Sequence, residues 1–184
     1  WDIDTLKRLK DYIDPKRNIL EIGGHCGESS IFYSSCISSE NRLYVYEPQV
    51  NMYNLLIKNI KQNNLEGKII PSNMGIFCYE GSGKMHNIDV DKGKFSDSGG
   101  TVSRRYNEES DKNCNFGGIS LGGDGEDVKL TTIDNLKLDN IGYIHCDAQG
   151  SEPFIFSKAL ETIEKFRPVI LYENPKNTHP YLYD

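Results

Sequence analysis

The run Glu21-Ile22-Gly23-Gly24-His25-Cys26-Gly27 places a carboxylate, three glycines, an imidazole and a thiol side by side. The apolar stretch Asn18 to Ile22 leads into it and a Ser/Cys-rich stretch, about Glu28 to Ser38, follows, so the pattern is strand, glycine-rich turn, helix. Glycines permit positive φ and a close approach of ligand to backbone. The first N–H groups of the next helix have no intrahelical partner, so such a turn suits a nucleotide-like ligand. Two more acids fall where that chemistry uses them. Glu47 lies 26 residues after Glu21 and ends the run Arg42-Leu43-Tyr44-Val45-Tyr46. An acid at the tip of a second strand accepts hydrogen bonds from ribose hydroxyls. Asp147 ends the run Ile141-Gly142-Tyr143-Ile144-His145-Cys146, at the carboxyl end of a buried strand, where open α/β sheets bind ligands. His25 and His145 adjoin these acids and are candidate bases.

Spacing and composition exclude several chemistries. Gly23, Gly24 and Gly27 give G-G-x-x-G, whereas a dinucleotide fingerprint needs G-x-G-x-x-G. An NAD-dependent oxidoreductase is therefore the weaker enzyme class. Gly81-Ser82-Gly83-Lys84 imitates a phosphate loop, but Cys78 stands where that motif needs glycine and Met85 where it needs Ser or Thr, so a hairpin turn is expected. Asp89 and Asp91 lack the Asp-x-Asp-x-Asp-Gly pattern of a calcium loop. No carboxylate cluster for a metal stands out, and none is predicted. The net charge of −6 and the lack of a basic run longer than Arg104-Arg105 disfavour nucleic acid and favour a small or neutral acceptor. Five scattered cysteines without C-x-x-C point to a reducing, cytoplasmic setting. No apolar run approaches the roughly 20 residues of a membrane helix.

Periodicity supplies the elements that position these residues. Ile3, Leu6, Leu9 and Ile13 predict a leading helix over 2–14, ended by Asp14-Pro15. Val50, Tyr53, Ile57 and Ile60 predict a second, closed by Asn63-Asn64 and Gly67. Lys68 to Ile70 reads as a short strand, Pro71 to Gly75 as a loop and Ile76 to Tyr79 as strand resuming. Residues 91–127 are rich in Gly, Ser, Asp and Asn and read as a functional loop, a lid or substrate collar, or as disorder. Val128 to Ile133 alternates like a strand; Ile155, Ala159, Ile163 and Phe166 share one helix face; Pro168 to Glu173 is the last strand. Strands alternating with helices predict one α/β domain over 1–184 with a doubly wound, mostly parallel sheet. The first residue is Trp1 rather than Met, and the expectation is a domain excised from a longer polypeptide, whose other domains would be partners.

In order and spacing, these blocks make the chain similar to the FkbM family of S-adenosylmethionine-dependent O-methyltransferases. Glu21 to Gly27 resembles the family's acid-x-Gly-Ala-Asn-x-Gly, with His25 in place of the usual Asn. Tyr46-Glu47-Pro48 resembles its aromatic-Glu-Pro, and Ser98-Gly99-Gly100 its Gly/Ser-rich middle. Thr131 to Leu136 resembles its Thr-hydrophobic-Asp block. Ile144 to Glu152 resembles Lys-x-Asp-x-x-Gly-x-Glu, with His145 in place of the usual Lys, and Arg167 to Glu173 closes the match. The resemblance implies a Rossmann-like sheet of the class I methyltransferase type, in which an antiparallel hairpin beyond the last strand is expected to be missing here. The cofactor would be S-adenosylmethionine and the product S-adenosylhomocysteine. Gly23, Gly24 and Gly27 would pass close to the methionine part, with Glu21 and His25 in the same motif. Loop and helix N–H groups would hold the cofactor's carboxylate. Glu47 and Pro48 would take the ribose, and Asn73 and Met74 would border the adenine. Asp147 would orient the cofactor's ammonium group, position the acceptor or act as base, with His25 and His145 as further bases. Gly99, Gly100, Glu152 and Glu173 would face the acceptor, a hydroxyl of a sugar, a glycan or another small metabolite. A non-catalytic S-adenosylmethionine-binding or partner-binding domain is the main alternative.

Overall fold

The apolar runs around residues 20, 45, 70, 144 and 170 become one sheet. The computed structural model describes residues 3–85, 88–89, 94–95, 121 and 125–173. The chain forms α1 (Ile3–Leu9), β1 (Asn18–Ile22), α2 (Glu28–Ser34), β2 (Leu43–Tyr46), α3 (Val50–Gln62), β3 (Ile69–Ser72), β4 (Gly75–Ile76) and β5 (Gly81–Lys84). It continues with β6 (Ile88–Asp89), β7 (Lys94–Phe95), β8 (Asp127–Thr131), β9 (Ile141–Cys146), α4 (Glu152–Phe156), α5 (Leu160–Phe166) and β10 (Val169–Tyr172). The main sheet has five strands in the order β10-β9-β1-β2-β3, every neighbouring pair parallel. The doubly wound, mostly parallel sheet expected from the sequence is the observed one.

Alternation along the strands divides the core. Ile19, Leu43, Val45 and Tyr143 face Tyr33, Leu56 and Ile60 of α2 and α3. Leu20, Ile22, Ile144 and Cys146 face Ile155 and Ala159 on the other side. Successive side chains of a strand point to opposite faces, so strands covered by helices on both sides read as unbroken apolar runs. A fully buried Ile or Leu in such a layer contributes roughly 1.5–3 kcal/mol.

Register then assembles the site. Ile22 pairs with Tyr46 on one side and Cys146 on the other. The next residues, Gly23, Glu47 and Asp147, therefore leave the sheet side by side at its carboxyl edge. β1 is also where the strand order turns, with β2 on one flank and β9 on the other. In open α/β sheets that switch point opens a crevice for ligands.

Several local expectations are corrected. The leading helix is shorter than 2–14: α1 ends at Leu9 and gives way to a 3-10 turn over Lys10–Tyr12. α2 stops at Ser34 rather than near Ser38. β3 runs through Pro71 to Ser72 instead of looping out at Pro71; it is the outer strand, where a missing N–H costs the ladder nothing. Gly81–Lys84 is a strand, β5, antiparallel to β8, and not a hairpin turn. A Cβ on Gly83 would lie 2.8 Å from Leu130 Cδ1, so the glycine lets the two strands pack. The predicted strand at Val128–Ile133 joins this small second sheet, order β4-β8-β5, not the main one. The single helix expected over Ile155 to Phe166 is two, because Asp134 accepts hydrogen bonds from the Glu161 and Thr162 N–H groups and the Thr162 hydroxyl and so caps a second start. Most of the 91–127 segment, with Gly99 and Gly100, lies outside the described residues. No helix among the described residues is long and apolar enough to cross a membrane.

Candidate functional site

A cavity of about 520 Å³ opens at the carboxyl edge of β1, β2 and β9. Gly23, Gly24, His25, Glu47, Pro48, His145, Asp147 and Glu173 all line it, so eight of the residues singled out in the sequence converge there. Glu28, Ser29, Gln149 and Ser151 also line it and had been given no role. Glu28 and Ser29 follow the glycine turn directly, and Gln149 lies inside the Asp147-to-Glu152 block, so proximity to the motifs was the available signal.

The packing of neighbouring protein groups shapes the glycine turn. Gly23 has φ +82°, and a Cβ there would sit 1.9 Å from the Asp147 carbonyl oxygen. Gly27 has φ +93°, and its Cβ would meet Leu56 Cδ1 at 2.7 Å. Gly27 does not line the cavity. The turn amides are also committed. Gly23 and Gly24 donate to Tyr46 O at 2.9 and 3.2 Å, Gly27 to Gly24 O at 2.9 Å, and His25 to Glu47 Oε2 at 2.8 Å. Of the loop and helix N–H groups expected to hold a ligand carboxylate, those of Gly23, Gly24, His25 and Gly27 already have protein acceptors.

Glu47 is 3% exposed. Its Oε2 accepts from the His25 N–H and its Oε1 from the Gln49 N–H, both at 2.8 Å. Burial pushes its carboxyl up to about 7, against the pull of those two hydrogen bonds. A carboxylate has about four lone-pair positions, so acceptor capacity remains. Asn73 donates through Nδ2 to the carbonyls of Glu47 and Pro48, both at 2.9 Å, and fixes that turn from behind. Met74 packs into the core. Neither lines the cavity; Gly75 and Ile76 do. The chain re-enters a strand at Gly75.

Gln149, at φ +52°, joins two acids. Its Nε2 donates to Asp147 Oδ1 at 2.7 Å and to Glu173 Oε2 at 2.8 Å. Glu152 is placed differently from the expectation that it faces an acceptor. It is 1% exposed, and its oxygens accept from the Ala148 and Gly150 N–H groups at 2.8 and 2.9 Å. It braces the turn that carries Asp147 and Gln149, and it does not line the cavity. Glu21 is fully buried beneath the floor. It accepts from the hydroxyls of Ser29 and of Ser30, the latter at 2.5 Å, and its Oε1 lies 3.4 Å from His145 Nδ1. It ties β1 to α2 and β9 without reaching the cavity. His25, at φ +47°, has its pKa lowered by burial, with Glu28 and Asp147 opposing. Its Nε2 is buried with no hydrogen-bond partner among the described residues.

No family model matches the chain, and no curated protein matches it. Among solved structures, it is similar to the methyltransferase FkbM from Methylobacillus flagellatus KT, with a TM-score of 0.59 and 14% identity over 92% of this chain. The fold is that of the class I methyltransferases. The match covers 36% of that protein, so the chain spans about a third of its length. Shorter likenesses are to a protein-L-isoaspartate O-methyltransferase (TM-score 0.33, 16% identity, 37% of this chain and 21% of that one) and to P. horikoshii TYW2 in complex with MeSAdo (0.35, 16%, 40% and 27%). A class I methyltransferase fold does not by itself name an acceptor.

Proposed function

We propose that the chain is an S-adenosylmethionine-dependent O-methyltransferase whose acceptor is a hydroxyl of a sugar, a glycan or another small metabolite. The observation that carries this reading is Glu47, a buried acid at the end of β2, lining a cavity at the switch point with acceptor capacity to spare. The residues fit the cofactor. S-adenosylmethionine bears a sulfonium and an ammonium, and Glu28, Glu47, Asp147 and Glu173 give the cavity a field that favours a cation. Its 520 Å³ falls in the usual range of roughly 300–1,000 Å³ for small-molecule sites. The buried, unpartnered Nε2 of His25 is a polar atom that a ligand would satisfy.

When bound, the cofactor supplies an electrophilic methyl group. Glu47 would hold the ribose hydroxyls with the lone pairs that His25 and Gln49 leave. Asp147, held by Gln149, would orient either the ammonium group or the acceptor hydroxyl. His25 would take the acceptor's proton at Nε2: burial keeps the imidazole neutral at pH 7, the form that accepts a proton. The acids that attract a sulfonium repel phosphates, which argues against a nucleic-acid acceptor.

Calorimetric titration with S-adenosylhomocysteine, with NADH as control, tests this. Micromolar binding of the first alone supports the reading, and loss of it in Glu47→Ala ties it to the site. Binding of NADH alone overturns it in favour of an oxidoreductase. Binding without methyl transfer to any of a panel of hydroxyl compounds marks a non-catalytic cofactor-binding domain.

A further inference from the structure

An open groove of about 810 Å³ lies at the amino ends of β2 and β3, the opposite edge of the sheet from the cavity. Arg42 immediately precedes β2, Lys68 immediately precedes β3, and both line the groove. Leu43 pairs with Ile69 in parallel, so the two cations stand side by side on strands about 4.8 Å apart. Neither forms an ion pair with a carboxylate among the described residues. Carbonyls of the turn after α2 hold them instead. Arg42 Nη1 donates to Ser39 O at 2.9 Å and to Asn41 O at 3.0 Å. Lys68 Nζ donates to Ile37 O at 3.1 Å and to Ser38 O. Burial, and after it the Arg42 guanidinium, lowers the Lys68 ammonium from its ordinary value. The two cations therefore repel, and no described carboxylate offsets them.

Capping those carbonyls leaves donors over, because an arginine has five N–H donors and a lysine three. The Nε and Nη2 side of the Arg42 fork and one Lys68 hydrogen have no acceptor among the described residues, nor does the Ser39 hydroxyl, which also lines the groove. We infer that this groove binds a phosphomonoester of a small molecule. Such a group carries about −1.5 to −2 charges near pH 7, where a carboxylate brings one, so it matches a pair of cations. Two of its oxygens fit the planar arginine fork, and a third takes the ammonium as a point charge. Ile31, Ile37 and Leu65 supply an apolar wall for the uncharged body of the ligand. A nucleic acid is the weaker occupant. Its backbone needs a stripe of cations, whereas this groove has one pair, with Glu66 beside it, in a chain of net charge −6. The inference does not depend on methyl transfer, since groove and cavity share no lining residue.

Amide NMR shifts of the full 184-residue chain, titrated with phenyl phosphate at low salt, test this. Saturable shifts at Ser39, Arg42, Gly67 and Lys68 are expected, with a Kd of about 1 mM or tighter. Arg42→Gln and Lys68→Gln should each weaken binding by about tenfold or more. Both cations also cap carbonyls, so a third variant guards against a folding defect. Glu66 is exposed, and Glu66→Gln should keep the fold and tighten binding by about two- to fivefold. Shifts that never saturate, or that the same concentration of chloride reproduces, overturn the inference. So does wild-type affinity in all three variants. A single-stranded oligonucleotide that displaces phenyl phosphate at lower concentration assigns the groove to nucleic acid and overturns it as well. Co-sedimentation with phosphatidic acid vesicles, without any response to phenyl phosphate, puts the phosphate on a lipid and does the same.

Discussion

Glu47→Gln makes the cost of the site measurable. Burial raises the Glu47 carboxyl from 4.5 to about 7. At about 1.4 kcal/mol per pH unit, keeping it ionised in the folded chain costs about 3 kcal/mol. Below pH 4.5 the folded and unfolded chains both carry the proton. Between 4.5 and about 7 the unfolded chain releases it while the folded chain keeps it, so this group lowers stability as pH rises, and the loss is complete above 7. Glutamine removes the titration. It also leaves one of the N–H groups of His25 and Gln49 without its acceptor, a cost of about 1–3 kcal/mol that does not vary with pH. The difference in stability between Glu47→Gln and wild type should therefore swing by about 3 kcal/mol in the variant's favour from pH 4 to pH 8. With an m-value of about 2 kcal/mol per molar, that is a relative shift of about 1.5 M in the urea midpoint. Ribose hydroxyls prefer the ionised acid, so wild-type affinity for S-adenosylhomocysteine should fall by up to tenfold per pH unit below about 7, and the variant should bind weakly at every pH. Parallel stability curves for the two proteins across this range would refute the claim that burial dominates at Glu47.

Other residues give independent checks. His25→Asn, which tolerates the positive φ, should lower kcat by about 10²–10⁴ with S-adenosylhomocysteine affinity nearly unchanged. Wild-type kcat at saturating cofactor should rise with pH through a midpoint below the ordinary histidine value of 6.5, since burial lowers this imidazole; a rising limb retained in the variant would exclude His25 as the base. Gly23→Ala forces a Cβ to 1.9 Å from the Asp147 carbonyl at φ +82°, so at least about 3 kcal/mol should be lost, read as a melting-temperature drop of about 10 °C. Asp134→Ala should cost about 1–2 kcal/mol by uncapping α5, with cofactor-product binding unchanged in calorimetry.

What could be read in advance was what local chemistry encodes. The five apolar runs became the five parallel strands, and the acids Glu47 and Asp147 stand at the strand ends where their positions put them. Several of the errors share one cause, a partner distant in sequence. Asp134 caps a helix that starts at Leu160, so the periodic stretch from Ile155 to Phe166 gave no sign of a break. Leu130 makes Gly83 a strand residue. Pro71 stays in a strand because β3 lies at the sheet edge. Glu152 and Asn73 sit among motif residues but turn their side chains to backbone groups of the neighbouring turns, and polar residue type alone does not distinguish a brace from a ligand contact.

By itself, then, the sequence determined the five strands of the main sheet, the two-sided burial of β1 and β9, and the acids Glu47 and Asp147 at the ends of β2 and β9. Those properties follow from residue type and periodicity, which act over a few positions. The tertiary structure alone decided which of these residues share a cavity. Parallel register sets Gly23, Glu47 and Asp147 in one row, the collision of any Gly23 side chain with Asp147 fixes the turn, and burial moves the Glu47 carboxyl toward neutrality. Such effects depend on distance and on exclusion of water between residues more than a hundred positions apart, and no local pattern in the chain records them.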